Sequence, residues 1–375
     1  MTSNQNVYFQ NNDDKFYKEI YPFFIKMKNN FNKEINKSDK KYFEEILQYI
    51  KNTNSLPFKF NSQELLYFKK HDKNNWIDYF LFRYKFRKFP KEKIVSEFPI
   101  YVLIEPVSTC NIRCTMCFQI DKSFTKKPFM GVMDLNFYKK IIDDCHNNGT
   151  KAITLASRGE PTLHPKLPEM LDYASKKFLE IKLNTNATKL SEKLIRKILE
   201  TGVNEVVYSV DESDEKKYEK IRVGGKFKEV LANISNFKNI RDKEFPDSKT
   251  TTRISGVLVN EDQDVDKITK FWEQYVDHVV FVKEQIRWDT YNNMPDDIKS
   301  PCMYLWERMY VWFDGTTNPC DVDYKSKLSM GKLDYSKNSI KDIWNSKFFQ
   351  SLRYKHLNNE RQSINPCDRC GLSFE

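Results

Sequence analysis

The chain has little of what would place it in a membrane, a secretory route or a nucleic-acid complex. No apolar run in its 375 residues approaches the roughly 18–20 residues that span a bilayer. The start, Met1 to Asp14, is polar and lacks the apolar core of a secretion signal. No lysine run is dense enough to read as a nucleic-acid arm, and no nucleic-acid motif is present. The expectation is a cytoplasmic protein with neither membrane nor nucleic acid as partner. What the chain does hold is 39% hydrophobic and 14% aromatic residues, enough for two or three domains with sizeable cores. Its formal net charge of +10 fits solvated surface lysines, or alternatively a basic surface for an anionic substrate.

Three stretches differ in pattern. Residues 1–97 are rich in Lys, Asn, Phe and Tyr, with apolar positions at helical spacing over 40–50 and 76–86 and a capped helix start at Ser62. They predict a mainly helical extension. From residue 98 to 290 strand-like and helical segments alternate. Strands are expected at Tyr101–Glu105, Ala152–Ala156, Ile181–Thr185, Val206–Val210, Arg253–Val259 and Val279–Val282. Helices are expected at Asp134–Asn147, Pro165–Lys177, Ser191–Thr201, Glu215 to about Arg241, and Asp264–Tyr275. Six βα units in a row predict an α/β fold with a parallel sheet, a partial (β/α)6 barrel. Residues 291–375 form a small α+β segment. There, Met309–Phe313 and Thr316–Pro319 flank an Asp314-Gly315 hairpin turn, and a helix is expected over Ile340–Tyr354.

Eight cysteines in such a chain suggest metal before disulfides. Cys145 lies on an amphipathic helical pattern and reads as a buried thiol. Cys110, Cys114 and Cys117 form C-x3-C-x2-C on the loop after the first strand. Three thiolates can hold three irons of a four-iron cluster and leave the fourth open to a cofactor. Structural zinc, the alternative, favours four ligands in paired C-x2-C form. Cys302, Cys320, Cys367 and Cys370 form a second group that could support the core of a short segment.

From about residue 98 onward the chain resembles the radical S-adenosylmethionine (SAM) enzymes. Besides the cysteine motif, Ser157-Arg158-Gly159-Glu160-Pro161 is similar to that family's GGEP motif, with Arg158 in place of the first glycine. Asn184, Ser209 and Arg222 stand at matching places after the third and fourth strands. The resemblance implies a [4Fe-4S] cluster on the first three cysteines that chelates SAM. It implies that Gly159 and Glu160 receive the methionine ammonium, and that Arg222 pairs with the SAM carboxylate. Asn184 and Ser209 would meet the ribose, the carboxylate or the substrate, and Met116 and Val257 would pack on the adenine. The second group resembles the SPASM and shorter twitch domains. Only four cysteines are present there, which implies the twitch form with one fully ligated auxiliary [4Fe-4S] cluster.

The activity so implied is reductive cleavage of SAM to a 5′-deoxyadenosyl radical that abstracts a substrate hydrogen, with flavodoxin or ferredoxin as electron donor. A fully ligated auxiliary cluster points to net oxidation, the dehydrogenation of a small hydroxylated substrate such as a sugar or aminocyclitol. Lys283, Glu284, Arg287 and Asp289 are candidates to take the hydroxyl proton, Arg287 foremost. Peptide maturation and redox-neutral epimerisation or isomerisation are the alternative activities.

Overall fold

The computed structural model describes residues 14–26, 37–284 and 287–372. They fall into two compact units, one within Phe9–Ile94 and one from Val95 onward.

The first unit is helical: α1 Asp14–Lys26, α2 Lys37–Thr53, α3 Ser62–Lys70 and α4 Lys73–Glu92. Asn61 caps α3 through a reciprocal box with Glu64, which satisfies two otherwise orphaned donors. Phe24, Phe68, Trp76 and Phe80 are buried together. The buried Glu64 carboxylate holds Arg83 at 2.5 Å and Arg87 at 2.7 Å. No described helix of the protein is long and apolar enough to cross a membrane.

The second unit is built on a nine-stranded sheet. Its strands are β1 Tyr101–Ile104, β2 Ala152–Leu155, β3 Glu180–Thr185, β4 Glu205–Ser209, β5 Thr251–Leu258, β6 His278–Lys283, β7 Arg308–Val311, β8 Thr316–Asn318 and β9 Gly331–Lys332. The spatial order is β9-β8-β7-β1-β2-β3-β4-β5-β6. Strands β1 to β6 run parallel in sequential order, the arrangement expected of six βα units. The intervening helices are α5 Leu135–Asn147, α6 Leu167–Ala174, α7 Glu192–Thr201, α8 Glu215–Ile221, α9 Phe227–Glu244 and α10 Val265–Trp272. The other edge of β1 is taken by β7, also parallel, with Tyr101 opposite Arg308 and Ile104 opposite Val311. The C-terminal segment thus completes the sheet as well as following it.

The pleat sorts the strand residues into two faces. Val102, Ile104, Ile153, Leu155, Leu183, Val206, Tyr208, Ile254 and Phe281 enter the main core with the helices. The alternate residues form the inner face: Leu103, Thr154, Lys182, Asn184, Val207, Ser209, Arg253, Ser255 and Val257. Barrel interiors are commonly filled by bulky branched side chains, and this one is mixed with polar groups.

Two expected helices are each interrupted. The stretch from Glu215 to Arg241 breaks at Arg222–Val223, which forms a short antiparallel ribbon with Arg113–Cys114. Gly224, at φ +91°, and Gly225 follow, and they permit a turn that helical periodicity alone does not reveal. The C-terminal helix divides into α12 Ile340–Trp344 and α13 Lys347–Leu357, after a four-residue α11 Tyr304–Glu307. Ser346 accepts from the Phe349 N–H and so caps a fresh helix start.

Candidate active site

The first cysteine loop leaves the carboxyl end of β1 and is tied down at each cysteine. Cys114 pairs across the ribbon with Arg222, and the Thr115 N–H donates to the Ile221 carbonyl at 2.9 Å. Asn186 Nδ2 approaches Cys110 Sγ at 3.7 Å, and the Gln119 N–H approaches Cys117 Sγ at 3.5 Å. Burial pushes the Cys110 thiol up to about 11 and that of Cys117 up to about 12. Iron takes cysteine as thiolate, so cluster binding here must release protons.

Ser157 to Pro161 lies directly against this loop. A Cβ on Gly159 would stand 2.2 Å from the Val107 carbonyl oxygen, so only glycine fits. The Glu160 N–H donates to the Thr109 carbonyl at 2.9 Å. The buried Glu160 carboxylate accepts from the Thr162 N–H and hydroxyl, the Thr185 hydroxyl at 2.7 Å and the Asn186 N–H at 2.6 Å. Burial raises its pKa despite those donors. One carboxylate therefore joins the ends of β2 and β3, and Asn186 passes that link on to Cys110.

Arg222 is engaged within the protein. Its guanidinium forks onto Asp211 at 2.7 and 2.9 Å, and Nη1 approaches Cys114 Sγ at 3.7 Å. Burial lowers its pKa, but the charges of Asp211 and Cys114 raise it overall. Asp211 also accepts from the Val257 N–H at 2.8 Å. Met116 lies in an apolar cluster with Ile112, Cys114 and Ile221, bordered by Cys110, Cys117, Val257 and Val259. Asn184 and Ser209 occupy the inner face near the carboxyl ends of β3 and β4. The buried Asn184 Oδ1 has no hydrogen-bond partner among the described residues.

The second group is assembled from separate segments. Cys302 precedes α11, Cys320 follows β8, and Cys367 begins a 3-10 turn that Cys370 closes. Every described cysteine is a free thiol. Burial raises all four thiols; neighbouring cysteine thiolates add to it at Cys302, Cys320 and Cys367, and the Asp296 and Asp321 charges at Cys370. Among the described residues no three His, Cys, Asp or Glu side chains are placed to hold a single metal ion. The buried Asp323 shapes the loop after Cys320 by accepting from Tyr291 Oη and the Lys327 and Leu328 N–H groups. Cys320 packs beside Leu103, Tyr310, Trp312 and Tyr101, so this group borders the inner face.

Arg287 belongs to the second group's surroundings. It donates to Asp321 at 3.0 Å, and the Asp321 charge raises its pKa. A guanidinium so paired keeps its proton, which removes Arg287 as proton acceptor. Lys283 ends β6 and Glu284 follows it, both exposed, and Asp289 sits half-buried at φ +50°.

Arg158 takes a role that its motif position conceals. It is buried, with Nε and Nη2 on Glu105 at 2.7 and 2.6 Å and Nη1 on the Tyr324 carbonyl at 2.9 Å. Its guanidinium lies 4.2 Å from the Trp312 ring centroid. Gln119 Nε2 spans the Ser108 and Arg158 carbonyls. A glutamate ending a buried strand and an arginine in a glycine's place were the available signals for this pair.

A three-cysteine loop at the carboxyl end of a parallel half-barrel, beside a four-cysteine group in an appended domain, defines an iron–sulfur enzyme with one cluster able to bind a cofactor. Residues 104–271 match the family model of the Radical SAM superfamily, and residues 302–371 match that of the SPASM iron-sulfur cluster-binding domain. The chain belongs to the radical SAM superfamily and carries a C-terminal SPASM domain; these domains imply a SAM-binding and an auxiliary [4Fe-4S] cluster. It is 33% identical over 112 residues to the tungsten-containing aldehyde ferredoxin oxidoreductase cofactor-modifying protein of Pyrococcus furiosus, a match covering 30% of each chain. The fold is similar to that of BtrN in complex with AdoMet and 2-DOIA, with TM-score 0.51, 20% identity, and 74% of this chain and 94% of that one covered. It is also similar to Streptococcus suis SuiB bound to precursor peptide SuiA, with TM-score 0.53, 15% identity, and 92% and 89% covered.

Proposed function

We propose that this enzyme dehydrogenates a small hydroxylated substrate of the sugar or aminocyclitol kind. The observation that carries this reading is the inner face, polar at Asn184, Ser209 and Ser255 and bordered by Cys320. When bound, SAM on the first cluster supplies hydrogen-abstracting chemistry and the auxiliary cluster an electron acceptor. Cys110, Cys114 and Cys117 would hold the first cluster, and Cys302, Cys320, Cys367 and Cys370 would hold the second.

The remaining roles belong to side chains. Asn184 and Ser209 orient the substrate through its hydroxyls, and the unpartnered Asn184 Oδ1 is an acceptor suited to one of them. The Asp321 carboxylate takes the hydroxyl proton, and Arg287 holds that carboxylate in place. The apolar cluster of Met116, Val257 and Val259 excludes water from the adenine side. Glu160 fixes the ends of β2 and β3, so that the motif and Asn184 keep a constant spacing.

Incubation with deuterated aminocyclitols or sugars should transfer deuterium into 5′-deoxyadenosine and yield a ketone. SAM cleavage without deuterium transfer from any such compound would overturn the reading. A second reading, modification of a ribosomal peptide, is favoured by the helical unit before the barrel and by the 92% coverage of this chain in the SuiB comparison. Deuterium transfer from a labelled precursor peptide would establish it.

A further inference from the structure

The SPASM domain encloses a cation that forms no ion pair among the described residues; Asp296 interacts with it only through space. Arg361 is 1% exposed and makes no ion pair there. Its guanidinium donates from Nε to the Cys367 carbonyl at 3.2 Å, from Nη1 to the Ser300 carbonyl at 3.0 Å and from Nη2 to the Cys370 carbonyl at 2.6 Å. All three acceptors are backbone atoms of the segments that present Cys302, Cys367 and Cys370. A buried charge without a counter-charge is costly, even when fully hydrogen-bonded. Neighbouring cations do not share the position. His356 accepts from the Cys302 N–H through Nδ1 at 3.3 Å, a bond that needs that nitrogen unprotonated. With Asp296 out of ion-pair reach, a thiolate-ligated cluster held by the two segments that Arg361 bridges would supply its counter-charge. Such a cluster carries net negative charge, and reduction adds one more.

We infer that Arg361 is the built-in counter-charge of the auxiliary cluster, fixed by its fork against two ligand segments so that it favours the reduced state. A positive charge beside the cluster raises its reduction potential, because net charge and surroundings set that potential. Arg361 is thus a positioning residue that acts on the cluster's readiness to accept an electron. This inference rests on the auxiliary cluster alone and stands whether the substrate is a cyclitol or a peptide.

The test is a redox titration of the auxiliary cluster, followed by electron paramagnetic resonance. It uses the full chain carrying Cys110→Ala, Cys114→Ala and Cys117→Ala, with iron content measured alongside. Arg361→Gln should lower the midpoint by at least ~59 mV, a tenfold loss of electron affinity for a one-electron couple. Arg361→Lys keeps the charge without the fork, and should stay near the parent midpoint even if iron loading falls. An unchanged midpoint in Arg361→Gln at full iron content overturns the inference. So does a midpoint in Arg361→Lys lowered as far as ~59 mV, or loss of the cluster in both variants. If Arg361→Gln fails to hold iron, Arg361→Lys decides alone: a loaded cluster at the parent midpoint upholds the inference.

Discussion

The two cysteine groups reach their sites by opposite routes. Cys110, Cys114 and Cys117 come from one short loop, and nearby backbone fixes it: the Cys114–Arg222 ribbon, the Gly159 contact and the Glu160–Asn186 link. Cys302, Cys320, Cys367 and Cys370 come from segments far apart in sequence, and buried charges hold those segments: Asp323 near Cys320 and Arg361 between the others. A loop fixed by local contacts can be read from a short string. A site collected from distant segments exists only once the domain has folded around it.

Cysteine replacement tests this contrast most strongly. Cys110→Ala, Cys114→Ala and Cys117→Ala together should abolish formation of 5′-deoxyadenosine. Cys367→Ala with Cys370→Ala should leave SAM cleavage but stop product formation, as followed by chromatography of both products. Product turnover surviving the second change would remove the electron-acceptor role.

A smaller effect is expected where the two regions meet. Arg158 links the motif turn to the Tyr324 carbonyl and Trp312 of the SPASM domain. Arg158→Leu leaves Glu105 buried and unpaired, which should cost about 3–5 kcal/mol in denaturant unfolding. A loss below about 1 kcal/mol would mean that the pair carries no more than a surface salt bridge.

The smallest effect is confined to the first region. His164 is buried, accepts from the Lys166 N–H through Nδ1 at 3.0 Å and meets the Met133 carbonyl through Nε2 at 2.9 Å. Those partners suit the neutral ring, and burial lowers its pKa. Below the ordinary histidine value of about 6.5 the unfolded chain therefore binds more protons than the folded one. Stability should fall as pH drops through that range. The melting-temperature advantage of the native protein over His164→Gln should narrow between about pH 7.5 and pH 5.5; a constant gap would contradict the assignment.

Much of the fold was legible in the sequence because its strands are short apolar runs separated by amphipathic helices. The six parallel strands appear within about two residues of their expected ends. The breaks at Arg222 and Ser346 were not legible, because helical periodicity continues across them while Gly224 and the Ser346 cap act locally. At the site, the cysteines and the Gly159 contact follow from motif spacing. The Arg222–Asp211 fork and the Arg158–Glu105 pair do not, since each depends on which strand ends become neighbours. Arg287 could not be judged without Asp321, which lies 34 residues away in sequence.

The pairing of β1 with β7 also bears on how the protein is made. Strand β1 leads directly into the first cysteine loop, yet its second neighbour emerges only when residues 308–311 have been synthesised. At roughly 5–20 residues per second, one edge of β1 stays open for some tens of seconds on the ribosome. Exposed edges of this kind invite pairing with other chains. Any truncation before Arg308 would make that exposure permanent.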